Sequence, residues 1–153
     1  MATDYLGARN QIFKKIKDNF IAGSTAIIGE EIKVYWQWNQ ETERPPTNKF
    51  WARVSMQTVD SQQGTLSDAC GAPGQHRDNN AGLVFIQLFG PKSVGDVPEK
   101  FSKLAKLARR SMLGQTVTGD VWFRNSRINE LPDEAEWIRA NAVAEFEYDE
   151  INM

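Results

Sequence analysis

Several things are scarce in this chain. Its 153 residues hold one cysteine, Cys70, and one histidine, His76. A single thiol cannot close an intramolecular disulfide, which fits a reducing compartment. Cys70 and His76 together fall short of the four ligands of a structural zinc, so His76 reads as an exposed loop residue with neither a metal nor a thiol role. Long apolar runs are missing too. The longest, LVFIQLF at 83–89, is far below the ~18 residues that span a bilayer, so no membrane partner is expected. The N-terminal MATDYLGARNQIFKKIKDNF scatters its charges instead of placing a basic start before an apolar core, so it does not read as a secretory signal, and synthesis in the cytoplasm is expected.

Strong net charge is also absent. At a formal −2 the chain lacks the basic balance of a duplex-binding module. There is no P-loop, no GxGxxG, no HExxH and no GxSxG. The acidic pairs Glu30–Glu31 and Glu134–Glu136 have no apolar neighbours to raise a pKa and read as solvated surface. No enzyme, cofactor or metal centre is expected. What remains, with 41% hydrophobic and 25% charged residues, is the composition of one folded domain with a single core.

Periodicity orders the elements. Tyr5, Ile12, Ile16 and Phe20 recur at helical spacing, predicting a helix over about 3–20, with Thr3 or Asp4 as its cap and Gly23 just beyond its end. IKVYWQW at 32–38 predicts a strand before the breaker NQETERPPTN. KFWARVSMQTV at 49–59 alternates, with Phe50, Ala52, Val54 and Met56 on one face and Trp51, Arg53, Ser55 and Gln57 on the other. The polar excursion that follows contains four Gly or Pro breakers and one large aliphatic residue, Leu66. It reads either as a mobile loop or as an extended hairpin whose partners lie outside the domain.

Strand 83–89 is apolar on both parities, as a central strand covered on both faces would be. Pro98 then opens a helix over about 98–113, with Phe101, Leu104, Ala105, Ala108 and Met112 on its apolar stripe and Gly114 at its end. TGDVWFRN and AEWIRANAVAEFEYDEI supply two more strands. The reading is a single α+β domain over residues 1–153, with a mixed or antiparallel sheet, helices packed on one side, and a polar loop or arm at 60–80.

Two charged rows have both a bland and a functional reading. Lys100, Lys103, Lys106 and Arg110 either touch phosphate or keep a helix wet, and wetting is the commoner use. Glu145, Glu147 and Asp149 share one parity of the last strand and either solvate an outer face or repel passing nucleic acid. Trp36, Trp38 and Trp51 lie in strands that look half-buried. Taken singly each suits a core; a surplus of aromatics on wet faces suits an oligomer interface.

The order of these segments resembles a known family. FWARVSMQ, the polar excursion, NNAGLVFIQLFGPKSVGD, KLAKLARRSM and the terminal AVAEFEYDEI together resemble the tail terminator, or tail completion, proteins of long-tailed bacteriophages, across nearly the whole chain. The resemblance implies a structural virion protein at the head-proximal end of the tail, made in the host cytoplasm. It would form a ring, expected to be a homohexamer, that ends polymerisation of the major tail tube protein and offers a docking surface to the head–tail connector or neck protein. Genomic DNA would pass through without specific binding. On this reading Trp36, Trp38, Trp51, Leu66, Gln75 and Arg77 are candidates for the subunit or tube interface. Glu145, Glu147 and Asp149 are candidates for the channel, with the basic helix stripe outside it. The competing readings are another ring-forming neck or tail component and a small-molecule-binding α+β domain that uses the Trp-lined sheet as a pocket.

Overall fold

The computed structural model describes residues 3–39, 45, 48–65, 76–92, 95–134 and 136–152. Asp4 caps the first helix by accepting a hydrogen bond from the Gly7 amide at 2.6 Å. Helix α1 (Tyr5–Ile16) passes through a π-helical turn (Lys17–Ile21) into α2 (Ala22–Ile28) without a break. The helical rod is therefore longer than the periodicity predicts, and Gly23 lies inside it. A Cβ at Gly23 would stand 3.0 Å from both methyl carbons of Leu107, so this glycine serves close packing against the later helix α3 (Val97–Ser111). The left-handed C-cap is Gly29, at φ 81°. Ser24 ties the end down, its buried hydroxyl donating to the Ile21 carbonyl and accepting from the Ile32 amide.

Five strands follow the predicted order: β1 (Lys33–Trp36), β2 (Trp51–Thr65), β3 (His76–Pro91), then, after α3, β4 (Val121–Glu134) and β5 (Trp137–Asn152). They form one mixed sheet in the order β1-β2-β3-β5-β4, with only the β1–β2 pair parallel. The domain is α+β, as its sequence suggests. β1 stops short of the predicted 32–38, because the Gln37 side chain takes over the ladder: its amide donates to the Met56 carbonyl at 3.1 Å and accepts from the Met56 amide at 2.9 Å. Trp38 then turns out of the strand at φ 68°.

The polar excursion is strand for much of its length. Residues 60–65 continue β2 and residues 76–80 begin β3, paired down to Thr65–Arg77. Its partners lie inside the domain, contrary to the expected hairpin with outside partners, since β5 pairs the other edge of β3 as far as His76–Asn152. A bulge at Val59 separates the arm from the body of β2.

One face of the sheet holds the core. The stripe Ala8, Ile12, Ile16 and Phe20 and the α3 residues Leu104, Ala108 and Met112 pack on Val54, Val84, Ile86, Ala142 and Phe146. The helices lie on this face, as the sequence suggests, so among the described residues no helix covers the second apolar parity of β3. The Phe89 end of that parity is covered by something else, described below.

Two predictions follow from this packing. At Gly82 an added Cβ would lie 2.1 Å from the Gln57 carbonyl and 2.7 Å from the Phe146 ring. Gly82→Ala should cost about 2 kcal/mol or more in urea unfolding, because a backbone carbonyl must give way. Tyr148 is buried at 3% exposure, and its phenol is pushed up to about 12, first by burial and then by the charges of Glu150, Tyr5 and Asp4. A tyrosine whose folded value is raised binds its proton more tightly folded than unfolded. Stability from this group is therefore complete below the ordinary value near 10 and is lost as pH rises toward 12. Denaturation followed from pH 9 to 12 should show that loss, and Tyr148→Phe should make the alkaline slope shallower.

Candidate functional site

The sheet face opposite the helices carries the candidate site, and the strand register builds it row by row. Lys33, Trp51, Phe89, Arg139 and Leu131 stand side by side across all five strands. Tyr35, Arg53, Gln87, Asn141 and Asn129 form the next row, and Ser55, Phe85, Val143 and Arg127 the one after. Alternation sends every one of these side chains away from the helices.

At the first row the aromatic rings cover one another. Trp51 stacks on Phe89 with centroids 3.9 Å apart and planes 4° from parallel, and Trp137 meets both rings edge-on at 5.7 and 6.4 Å. Tyr35 adds a further edge contact to Trp51 at 5.4 Å. The Arg53 guanidinium lies over Trp51 and Phe89 at 5.4 and 5.8 Å, a cation–π arrangement. This cluster, rather than a helix, covers the Phe89 end of the second parity of β3, leaving Phe89 at 8% exposure.

The cover is incomplete. Trp51, Trp137, Phe89, Arg53, Arg139 and Asn141 border a concavity of about 390 Å³. The indole N–H groups of Trp51 and Trp137 and the Oδ1 of Asn141 are buried beside it without a hydrogen-bond partner among the described residues. Buried donors of this kind are uncommon in a finished core. Arg139 pairs with Glu134 at 2.9 Å, whereas Arg53 makes no ion pair among the described residues.

The acidic row lies at the far end of the same face. Glu147 pairs with Arg124 and accepts from Asn79 at 2.9 Å. Asp149 accepts from Asn79 at 3.1 Å and from Arg77 at 3.5 Å, and Glu145 accepts from Asn125. Its negative field is thus partly offset by two guanidiniums. Lys100 and Lys103 lie on the opposite side of the sheet, on α3, where they pair with Asp96 and Glu99 at 2.9 and 3.2 Å. The Lys100 ammonium holds the exposed Asp96 carboxyl below the usual carboxylate range. Acidic row and basic stripe therefore face opposite ways.

The three candidate tryptophans part company. Trp36 points to the helix face and meets Phe13 at 5.0 Å; Trp38 is 69% exposed beside Arg9; Trp51 belongs to the aromatic cluster. Arg77 joins the acidic row, and Leu66, Gln75 and Cys70 lie outside the described residues. Among the described residues no group of three or more His, Cys, Asp or Glu side chains is placed to hold a metal ion. Sequence reasoning missed Phe89, Trp137 and Arg53 as partners of Trp51. Their parity was legible, but the register that aligns them depends on long-range pairing.

No family model and no curated protein matches the chain. Fifteen solved chains share its architecture. One of them, known only by a serial designation, superposes with a TM-score of 0.57 at 16% identity, over 92% of this chain and 94% of that one. The likeness is one of fold. Among the described residues no helix is long and apolar enough to cross a membrane.

The cluster divides its residues into core and surface. Trp51→Ala should cost about 3–5 kcal/mol in chemical denaturation, as large aromatic truncations do. Arg53→Ala should cost no more than about 1 kcal/mol, the range of an exposed cation–π contact.

Proposed function

We propose that this chain is a structural subunit of a bacteriophage tail. It forms a ring, six-fold to match the tube, that ends polymerisation at the head-proximal end and receives the head connector. One observation supports the reading beyond the sequence resemblance: among the described residues the sheet is covered by helices on one face only, and its other face holds a partly buried aromatic cluster beside an open concavity. Surfaces combining buried aromatics, arginine and a polar surround are the make-up of subunit contacts. In this reading the acidic row borders the channel through which genomic DNA slides, and the basic α3 stripe faces outward. Partial neutralisation by Arg124 and Arg77 keeps the row from repelling the tube and its neighbours strongly.

Electron microscopy of tails assembled with and without the chain is the test. Tails made with it should end in a ring of this subunit at a uniform length. Tails made without it should be overlong and fail to join heads. A reconstruction with no ring of this chain at the tube end would defeat the reading.

A further inference from the structure

The open face carries two features that match each other but lie too far apart to meet within one chain. The first is the aromatic concavity, where the exposed Arg53 guanidinium lies over the Trp51 and Phe89 rings with no anionic partner among the described residues. An occupant that complements the rings and the guanidinium brings an apolar body and a carboxylate. The second is the bulge at Val59. Its side chain is 65% exposed, and among the described residues the next residue, Asp60, meets only the Gln62 amide, at 2.8 Å. Val59 and Asp60 supply an apolar group and an uncompensated carboxylate side by side. Arg53 and Asp60 stand on the same strand, about 23 Å apart at ~3.3 Å per residue.

We propose that the Val59–Asp60 bulge of a second copy of this chain docks in the aromatic concavity, with its Asp60 carboxylate on Arg53. The contact joins two different surfaces, so it is heterologous, and repetition leads to a closed ring or an open filament. Its partner rests on the ring reading above; its geometry does not.

The test uses the full chain with two charge reversals, Arg53→Glu and Asp60→Arg. Both side chains are exposed, so circular dichroism should show an unchanged fold. Sedimentation velocity and native mass spectrometry should show the wild type assembling with concentration. Each single reversal should weaken assembly at least ~10-fold, as expected for loss of a desolvated charge pair. The double reversal, and an equimolar mixture of the two single variants, should restore it. Single variants that assemble like the wild type, or a double variant that stays apart, would overturn the contact while leaving the ring on tails to be judged by microscopy. A wild-type chain still monomeric at about 1 mM, where even a weak contact of ~4 kcal/mol is half-populated, overturns it as well. So does a monomer that retains a small molecule in the concavity.

Discussion

Strand β3 needs cover on both faces, and the chain has helices for only one. Val84, Ile86 and Leu88 meet the helix layer, while Phe85 and Phe89 point the other way, where the described residues form no second layer. A five-stranded sheet cannot leave such a strip bare without a large apolar patch. The solution here is lateral: Trp51 and Trp137, from the strands on either side of β3, fold over Phe89 and bury it to 8% exposure. Ring-on-ring cover hides apolar area well but serves polar atoms badly. The rings shield their own N–H groups from water and give them no acceptor in return.

Neighbouring strands also account for the strand character of the arm. Its sequence, rich in Gln, Asn, Asp and Ser, has almost no apolar area to offset chain entropy. Backbone pairing on both edges of β3 replaces side-chain burial, and cross-strand polar contacts such as Ser61 to Asn80 and Asn79 to Glu147 and Asp149 fasten the ladder. A polar sequence is thus held in a central position by the register of its neighbours.

This is also where reading the sequence stopped short. Elements with their own period were legible: the α1 stripe, β2 up to Thr58, the amphipathic α3 and the alternation of β5 all stand where the residues place them. The α+β class with helices on one side was legible for the same reason. Gly23 was misread because a C-cap glycine and a packing glycine look alike until Leu107 arrives from 84 residues away. Residues 60–65 and 76–80 were left between a loop and a hairpin with outside partners because their strand character comes from backbone pairing, β2 with β3 and β3 with β5, and not from local propensity. The candidate site lay between these cases. Trp51 and Arg53 share a legible parity, but their meeting with Phe89 and Trp137 is a fact of register.

Register also decides what the open face does as a whole. Because β5 runs the length of the sheet, the residues it sends outward place Trp137 and Arg139 at one end and Glu145, Glu147 and Asp149 at the other. A one-residue slip between β3 and β5 would turn Val143 and the carboxylates into the core and bring Ala142, Ala144 and Phe146 out to water. The core therefore enforces the order of charges and rings on the opposite face, although none of those charges contributes to the core. Burial of Ala142, Ala144 and Phe146 under the helices fixes the parity on which the aromatic concavity and the acidic row stand. A surface built this way is held rigid by the layer behind it. A partner docking here would not have to order it first, which is the condition under which a modest contact area yields a stable assembly.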